Sequence, residues 1–289
     1  MKISEVIAPG RTAFTFEIFP PKRNGSIETI YQTLEGLGDL HPDFISVTYG
    51  AGGNAADTKT CDIAQIIREK YHTESAVHLT CLYNSREDID RIVEQLQERG
   101  IRNILALRGD RNPDVAPKED FRYASELVAY LRTKGDFYIM GGCYPEGHPQ
   151  CSSLDADIEH LKRKVDAGTD RLLSQLFFDN DDFMRFLEKA RRAGIHVPIE
   201  AGIMPVVNKA QIERMVTLCG ASLPHKFARM MARYEEHPDA LRDAGIAYAV
   251  DQIVDLVAQG VDGIHLYTMN NPYVARKITE AVQGIVRPV

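Results

Sequence analysis

Glu17 is the residue whose surroundings most favour chemistry, because it interrupts an apolar and aromatic run, Phe16-Glu17-Ile18-Phe19. Carboxylates are seldom buried, since their charge is costly to remove from water. An ordinary Glu, with a pKa of about 4.3, is only about 0.2% protonated at pH 7. Burial among these neighbours would raise the pKa of Glu17 and make it a usable general acid. The pattern equally allows an outward-facing Glu on a half-exposed strand.

Two glycine-containing turns could bring the backbone close to a ligand. In Leu107-Arg108-Gly109-Asp110, opposite charges flank a glycine that allows a close approach. The Gly-Ala-Gly-Gly turn at residues 50–53 could hold a phosphate with backbone N–H groups. Each pattern is also typical of a tight connection. Taken by itself, Leu107-Arg108-Gly109-Asp110 slightly favours a turn with a solvated ion pair.

A predicted helix at residues 152–167 carries a polar row beside its apolar stripe. Asp157, His160 and Lys164 follow one another at spacings of three and four residues, so they share a face. The row could bind a nucleotide, with Asp157 on the ribose and Lys164 on a phosphate. A solvated charged face is the more common explanation of such a row, and spacing alone favours it.

Short β-rich runs alternate with longer stretches of helical period along the chain. We predict eight strands, at residues 12–19, 44–48, 76–80, 103–107, 137–142, 171–177, 197–203 and 263–267. Helices are predicted at residues 26–40, 58–71, 85–99, 123–133, 152–167, 181–193 and 209–218, with two more segments within 220–260 and a last helix that Asn271 caps. Eight strands, each followed by a helix, predict one α/β domain over residues 1–289, a (β/α)8 TIM barrel with extra helices before strand eight.

Polar side chains stand at or just beyond the carboxyl end of nearly every predicted strand. In a TIM barrel these ends form one face of the molecule, where the active site lies. The residues concerned are Glu17, Thr48, His78, Thr80, Arg108, Asp110, Tyr144, His148, Gln175, His265 and Tyr267. The sequence therefore predicts a ligand-binding rim to which many strands contribute.

Composition and charge exclude several classes of protein. The 289 residues include 34 basic and 41 acidic side chains, and the net charge of −7 without a basic block argues against nucleic-acid binding. No apolar run approaches the roughly 18 residues that span a membrane, and residues 1–10 lack a secretory signal. The five cysteines form no Cys-x-x-Cys pair, and no two histidines have the spacing of a metal motif. We therefore expect a cytoplasmic protein with reduced thiols and no bound metal.

Several motifs, in order along the chain, resemble methylenetetrahydrofolate reductase of the bacterial type that has the catalytic domain alone. They are FEIFPP (16–21), SVTYGAGG (46–53), HLTC (78–81), LALRGD (105–110), YPEGHP (144–149), LKRKVDAG (161–168), and Gln175 followed by FFD (177–179). Any one of them would be weak, but their shared order makes the resemblance specific from about Phe14 to the carboxyl end.

The resemblance implies a barrel that binds FAD without a covalent bond. NADH or NADPH would reduce the flavin, which would in turn reduce 5,10-methylenetetrahydrofolate to 5-methyltetrahydrofolate in a ping-pong reaction that supplies methyl groups for methionine synthesis. It also implies a homo-oligomer that binds a folate and neither nucleic acid nor membrane. Because one catalytic domain accounts for the chain, we expect no feedback control by S-adenosylmethionine through an appended region.

The site residues of the family map onto this chain position by position. Glu17 matches the general acid that protonates the leaving nitrogen when the folate ring opens, and Asp110 matches a carboxylate close to the flavin and the pterin. Gln175 and Gln211 match further folate contacts. The positions that match flavin contacts are Thr48, Tyr49, Ala51, His78, Arg108, Gly109, Asp110, Tyr123, Ala124, Tyr144, His148, Cys151, Asp157, His160, Arg163 and Lys164. For the helical row, the resemblance thus favours nucleotide binding over a solvated face.

The chain departs from the family pattern at three places. His160 replaces an Asn, and a neutral imidazole can still donate one hydrogen bond. Cys151 replaces a small residue and could simply pack. Asn270-Asn271-Pro272 stands where the family has Asn-Arg, so an Arg that would help to hold the folate is replaced.

Two other functions remain open on the sequence. One is a flavin-free barrel that binds a pterin and transfers a methyl or methylene group, and the other is a scaffold without turnover. The flavin-contact positions argue against the first function. The retention of Glu17, Asp110 and Gln175 argues against the second.

Overall fold

The computed structural model describes residues 1–21, 26–48, 59–208 and 220–287, which form a closed barrel of eight parallel strands. Strands that are consecutive in the chain are neighbours in the barrel, and β8 closes it by pairing with β1. The strands are β1 Ala13–Ile18, β2 Phe44–Val47, β3 Glu74–Thr80, β4 Asn103–Leu107, β5 Tyr138–Cys143, β6 Arg171–Ser174, β7 Ile199–Ile203 and β8 Gly263–Tyr267. The helices are α1 Ile3–Val6, α2 Glu28–Leu37, α3 Lys59–Tyr71, α4 Arg86–Glu98, α5 Ala124–Arg132, α6 Leu154–Asp166, α7 Asn180–Arg192, α8 His225–Tyr234, α9 Pro238–Ala258 and α10 Pro272–Val286. The predicted (β/α)8 barrel is confirmed.

The strands are buried on both faces, which explains why they are apolar along most of their length. β2, β6 and β7 are buried at every position. Their inward side chains fill the barrel, and their outward side chains pack under the helices. The helices contribute one apolar stripe each, as in α2, where Ile30, Leu34 and Leu37 are buried.

A four-residue helix that the sequence analysis does not predict closes the amino end of the barrel. Ile3 of α1 is fully buried, and its N–H donates to Oδ1 of Asn103 at 2.9 Å. The Asn103 amide donates in turn to the carbonyl oxygens of Met1 and Ser75, at 3.2 and 3.0 Å. Four residues are too few to show a helical period in the sequence. The apolar cluster at this end consists of Ile3, Ile7, Ala13, Phe44, Ala76, Leu105, Tyr138, Met140 and Leu173.

The predicted bounds of β4 and β8 agree with the structure at both ends, whereas β6 is shorter than predicted. The sequence predicts β6 to residue 177, but the strand ends at Ser174. At Ser174, side-chain hydrogen bonds to β7 and β8 take the place of backbone hydrogen bonds between strands. The Tyr267 hydroxyl donates to the Ser174 carbonyl at 2.8 Å, and the Ser174 hydroxyl accepts from the Gly202 N–H at 2.9 Å. The helix predicted at residues 209–218 lies outside the described residues.

Two helices precede β8, as predicted, and they hold the segment that follows β6. Phe227 of α8 stacks on Phe178 with ring centroids 4.6 Å apart, and the Tyr248 hydroxyl of α9 donates to the Phe178 carbonyl at 2.6 Å. Met231 is buried in the same cluster. Although α9 has 21 residues, neither it nor any other helix in the described part of the chain is long and apolar enough to cross a membrane.

Candidate active site

Glu17 lies near the carboxyl end of β1, between two histidines of other strands. Its Oε2 is 3.4 Å from Nε2 of His78 on β3 and 3.5 Å from Nε2 of His265 on β8. The Glu17 side chain is 18% exposed, whereas those of His78 and His265 are 8% and 1% exposed. The strand register places Glu17 beside Ser46 of β2 and Tyr267 of β8. Strands β1, β2, β3 and β8 therefore meet around one carboxylate.

The charge environment of Glu17 differs from the one its sequence neighbours indicate. Burial acts to raise the pKa of Glu17, as predicted, but the hydrogen bond with His265 and the positive charge of His78 and His265 act in the opposite direction. The net effect places the pKa below its ordinary value, so the prediction of a raised pKa is wrong for this structure. The reason is geometric: adjacent residues of a strand point to the opposite face, so the neighbours of Glu17 inside the barrel come from other strands.

His78 offers an unsatisfied polar atom at the same place. Burial lowers the pKa of His78, and the negative charge of Glu17 opposes that effect. Among the described residues Nε2 of His78 has no hydrogen-bond partner, because its 3.4 Å approach to Glu17 lacks hydrogen-bond geometry. Buried polar atoms are normally satisfied, so this nitrogen is a position that a bound ligand could complete.

A polar layer crosses the barrel interior beneath the rim. Thr15 Oγ1 lies 2.7 Å from Nδ1 of His265 and 2.6 Å from Oε2 of Glu200. Glu200 Oε1 accepts from Arg171 Nη1 at 2.8 Å, and Arg171 Nε donates to the Tyr138 hydroxyl at 3.3 Å. Apart from His265, these residues are not among those predicted at the rim. The available signal was a single charged residue within each of the short apolar runs RLLS (171–174) and IEAGI (199–203).

The loop after β4 presents the two charges predicted there. Gly109 has a φ of +89°, and a Cβ at this position would lie 3.2 Å from the Cβ of Thr80, so the backbone requires glycine. Arg108 extends towards the loop after β5, where its Nη1 donates to Gln150 Oε1 at 2.8 Å. Asp110 is exposed. The β4 loop thus holds the Arg108 guanidinium against the β5 loop and leaves the Asp110 carboxylate facing solvent.

The loop after β5 is tied to helix α6. The N–H of His148 donates to Oδ2 of Asp157 at 3.1 Å, and Nδ1 of His148 accepts from the Gln150 N–H at 3.0 Å. The ring of His148 also meets that of Tyr144 edge-on, with centroids 4.7 Å apart. Burial lowers the pKa of His148, and the positive charge of Arg108 lowers it further. Both effects favour the neutral imidazole, and because Nδ1 accepts a hydrogen bond, the hydrogen of the neutral ring lies on Nε2.

Asp157 and His160 of α6 lie close together, as their spacing predicts, and Cys151 joins them. The Sγ of Cys151 is 3.4 Å from Asp157 Oδ1 and 3.6 Å from His160 Nδ1. The three ligand atoms lie within 4.8 Å of one another. A thiol, a carboxylate and an imidazole at this separation could hold a divalent metal ion or the hydroxyl groups of a ribose. The three residues are among the predicted flavin contacts, but no paired-histidine or Cys-x-x-Cys motif marks them in the sequence as possible metal ligands.

Lys164, the last residue of the polar row, turns towards the barrel. Its Nζ donates to the Gly142 carbonyl of β5 at 2.6 Å. Burial lowers the pKa of Lys164, and the negative charge of Asp157 acts against that effect. The neighbouring Arg163 is exposed. The polar row of Asp157, His160 and Lys164 is therefore partly buried, with its charges close enough to affect one another, and it is not a fully solvated face.

The remaining predicted residues begin or follow secondary-structure elements at the same end of the barrel. Thr48 follows β2, with its N–H donating to the Ile18 carbonyl at 3.0 Å. Gln175 follows β6, and its Oε1 accepts from the Leu176 N–H at 2.8 Å. Tyr123, with a 61% exposed side chain, and the buried Ala124 stand at the start of α5. The predicted residues outside the described part of the chain are Tyr49, Ala51 and Gln211.

The two asparagines at the family's Asn-Arg position have structural contacts. Asn271 Oδ1 accepts from the Val274 N–H at 3.2 Å and caps α10, which begins at Pro272 as predicted. Asn270 donates from Nδ2 to the Phe19 carbonyl at 2.8 Å and accepts from the Phe19 N–H at 3.1 Å. The Asn270 amide thus joins the segment after β8 to the end of β1, close to Glu17.

Comparison with known proteins places this sequence in a family. The family model for methylenetetrahydrofolate reductase matches residues 2–283. A 5,10-methylenetetrahydrofolate reductase of Pectobacterium carotovorum subsp. carotovorum is 39% identical over 261 residues, which cover 90% of this chain and 87% of that protein. The Escherichia coli (strain K12) protein of the same name is 36% identical with the same coverage. A methylenetetrahydrofolate reductase (NADH) 1 of Arabidopsis thaliana is 36% identical over 93% of this chain, which spans 48% of the plant protein.

Solved structures share the barrel at much lower sequence identity. A protein from Clostridium thermocellum, described as binding two copies of 5-methyl-5,6,7,8-tetrahydrofolic acid, has a TM-score of 0.65 at 14% identity over 96% of both chains. A dihydropteroate synthase of Xanthomonas albilineans has a TM-score of 0.52 at 14% identity, over 96% of this chain and 94% of its own. These likenesses concern the fold alone, because one barrel hosts many chemistries. Sequence identity along nearly the whole chain is the specific finding, and by it this chain belongs to the methylenetetrahydrofolate reductase family.

Proposed function

We propose that this chain reduces 5,10-methylenetetrahydrofolate to 5-methyltetrahydrofolate, with NADH or NADPH as the electron donor, in a ping-pong reaction that uses non-covalently bound FAD. The observation that carries the proposal is the Glu17 carboxylate, partly exposed at the rim and held between His78 and His265. The reaction itself is proposed from membership of the methylenetetrahydrofolate reductase family. The geometry supplies a proton-handling group at the end of the barrel where TIM-barrel enzymes bind their substrates.

The donor set formed by the β4 loop, the β5 loop and α6 fits a dinucleotide. Lys164 and Arg108 provide positive charge for phosphates, and Asp157 can accept from ribose hydroxyls. Gly109 lets a ligand approach the backbone, and the buried Nε2 of His78 can complete its hydrogen bonding on a bound ring. FAD held by these residues would supply a two-electron carrier between the nicotinamide and the folate.

Glu17 has the role of proton donor to the folate in this proposal. The five-membered ring of the substrate opens to an iminium cation only when the leaving nitrogen receives a proton. A folate bound over the rim would remove water from the 18% exposed carboxylate, and loss of water favours the protonated acid. A well-placed general acid typically contributes about 10²–10⁴ in rate.

Asp110 and Gln175 complete the folate contacts that we propose. The exposed carboxylate of Asp110 provides a fixed negative charge that would stabilise the iminium cation as it forms. The Oε1 of Gln175 is already used by the Leu176 N–H, so its NH₂ group is the part that can donate to a substrate. The substrate would thus meet a negative charge from Asp110 and a neutral donor from Gln175.

The test is a series of anaerobic absorption spectra. The purified protein is incubated with FAD and freed of the excess, then NADH is added, followed by methylenetetrahydrofolate. We expect a bound flavin spectrum that bleaches with NADH and returns with the folate. Bleaching without return would mean a flavin reductase with another acceptor. A protein that binds no flavin would overturn the proposal and favour the pterin-binding transferase.

Two variants locate the folate step at Glu17. Glu17→Gln should keep FAD and bleach with NADH but lose the folate-dependent return by about 100-fold or more, because the amide has no acidic proton to give. Glu94→Gln makes the same change at an exposed position of α4 and should leave both steps unaltered. A Glu17→Gln protein that turns over folate at the normal rate would remove Glu17 from the mechanism.

A further inference from the structure

A connected line of side chains runs through the barrel interior from Arg171 on β6 to Glu17 on β1. Arg171 Nη1 donates to Glu200 Oε1 at 2.8 Å, and the two side chains are 6% and 0% exposed. The other carboxylate oxygen of Glu200 accepts from Thr15 Oγ1 at 2.6 Å. Thr15 Oγ1 lies 2.7 Å from Nδ1 of His265, whose Nε2 faces Glu17 Oε2 at 3.5 Å. A buried charge is thus linked, contact by contact, to the proposed proton donor.

The single hydroxyl hydrogen of Thr15 decides which ring nitrogen of His265 is protonated. This hydrogen has two oxygen acceptors, the Glu200 carboxylate at 2.6 Å and the Ile264 carbonyl at 3.4 Å. The short contact with the charged oxygen is the stronger. The lone pair of the Thr15 oxygen therefore faces Nδ1 of His265, so Nδ1 carries a hydrogen. In the neutral ring, Nε2 is then an acceptor turned towards Glu17.

Nε2 of His265 and Oε2 of Glu17 lie 3.5 Å apart in hydrogen-bond geometry, and such a contact requires a proton between the two atoms. Either Glu17 carries that proton and donates to Nε2, or Nε2 carries it and donates to Glu17. In both arrangements the proton lies between His265 and the carboxylate that has to deliver a proton.

The groups around His265 come from several strands. Its ring nitrogens are contacted by Glu17 and Thr15 on β1, Ser46 on β2 and Glu200 on β7. The faces and edge of the ring pack against Phe44 on β2 and Tyr267 on β8. His78 on β3 acts on the same carboxylate, and Arg171 on β6 balances the charge of Glu200. The charged groups that face the ring are thus the carboxylates of Glu17 and Glu200, while the cation Arg171 and the imidazole of His78 stand behind them.

We propose that Glu200, acting through Thr15, is a positioning residue that keeps a hydrogen on Nδ1 of His265, so that Nε2 supplies to Glu17 the proton that Glu17 gives to the substrate. The inference rests on the proposed function. In the step, the Nε2–H bond of His265 breaks as an O–H bond forms on Glu17. That O–H bond then breaks as an N–H bond forms on the leaving nitrogen of the folate. Nε2 of His265 ends without a hydrogen, and a proton from water, arriving at the partly exposed Glu17, replaces the one delivered.

The test compares Thr15→Val, which removes the hydroxyl at nearly constant shape, with Thr15→Ser, which keeps it. Anaerobic rapid mixing measures the NADH and folate half-reactions of the FAD-loaded protein separately between about pH 5.5 and 8.5. For Thr15→Val, we expect an unchanged NADH half-reaction and a folate half-reaction slowed about 10- to 100-fold, less than loss of the acid itself would cost. The pH profile of its folate half-reaction should also change, because Nδ1 of His265 has lost its partner. Thr15→Ser should restore most of the rate and the pH profile.

A second measurement tests the proton position directly. The ¹⁵N spectrum of histidine-labelled protein, with His265→Gln for assignment, should show a hydrogen on Nδ1 of His265 in the unchanged chain and the loss of that hydrogen from Nδ1 in Thr15→Val. A neutral His265 protonated on Nε2 alone in the unchanged chain would overturn the proposal. A Thr15→Val protein with the normal folate rate and pH profile would overturn it as well. If the unchanged chain reduced no folate, the proposed function would fail, while the nitrogen spectrum would still decide whether Thr15 sets the tautomer.

Discussion

The buried ion pair of Arg171 and Glu200 allows a quantitative test of what holds the barrel interior together. Glu200→Leu would leave the Arg171 guanidinium, 6% exposed, with the Tyr138 hydroxyl at 3.3 Å. Arg171→Met would leave the fully buried Glu200 carboxylate with the Thr15 hydroxyl. A charge left in the interior without its counter-ion is costly. We expect each single variant to lower the free energy of unfolding by about 3–5 kcal/mol at pH 7.

The double variant Arg171→Met/Glu200→Leu should be far more stable than the sum of its parts predicts. It removes both charges, and replacing a buried ion pair by apolar side chains of similar size is often neutral or stabilising. The hydroxyl groups of Thr15 and Tyr138 each lose a partner, at about 1 kcal/mol apiece. We therefore expect the double variant within about 2 kcal/mol of the unchanged chain, and a coupling free energy of about 4 kcal/mol or more.

Chemical denaturation followed by circular dichroism, with and without FAD, measures these free energies. The matched control is the surface pair Lys226–Asp251, 2.8 Å apart with side chains 70% and 67% exposed. Its removal should cost less than about 1 kcal/mol, because water screens both charges. Single-variant costs that simply add in the double variant would refute the reasoning, since unpaired charge would then not be the source of the loss.

Three further predictions use other parts of the structure. Lys164→Ala should raise the dissociation constant of FAD about tenfold or more, because it removes a proposed phosphate contact. The control Lys162→Ala, at a surface ion pair on the same helix, should leave that constant unchanged. Flavin fluorescence titration measures both constants, and equal values for the two variants would contradict the phosphate contact. Burial raises the pKa of Cys81 to about 12, so its thiol should remain unlabelled by iodoacetamide at pH 8 until the protein unfolds, and mass spectrometry showing early labelling would contradict this. The hydrogen bond from Lys118 holds the pKa of Asp88 well below its usual range, so the carboxylate stabilises the fold above the unfolded pKa of about 3.9 and that stability is lost as the pH falls. Asp88→Asn should therefore cost about 1 kcal/mol at pH 7, and unfolding curves that show the same difference at pH 2 would contradict the assignment.

The barrel was predictable because each strand and the helix after it form a local unit. The periods of two and of 3.6 residues lie within single segments, and consecutive units are neighbours in the barrel, so local pattern is enough to predict the order of the strands. The limits appear where local pattern is absent. α1 is four residues long, and β6 ends at Ser174 because a tyrosine from β8 takes its carbonyl. Neither feature has a sequence signal of its own.

The rim of the candidate site was predictable, but the electrostatics of the rim were not. Strand ends identify Glu17, His78 and His265 as neighbours on one face, yet nothing in their linear order shows that both histidines approach the same oxygen of Glu17. The pKa of Glu17 depends on those contacts rather than on the aromatic residues beside it in the chain. The ion pair of Glu200 and Arg171 was not predictable for a related reason. One charged residue in a short apolar strand does not show that a residue of opposite charge lies beside it on the neighbouring strand.

The pairing of β1 with β8 determines when during synthesis a chain can bring the proposed proton donor Glu17 together with His265. Glu17 and His265 are separated by 248 residues, and the Asn270 amide that joins the two strand ends reaches back 251 residues to Phe19. At about 5–20 residues per second, a ribosome takes roughly 12 to 50 s to pass from Glu17 to His265. The loops after β4 and β5, which carry the proposed flavin contacts, leave the ribosome well before that time, while the edge of β1 still lacks its partner. A growing chain would therefore complete the segments proposed to bind the cofactor first and gain the proposed means of proton transfer last, when the final strand closes the barrel.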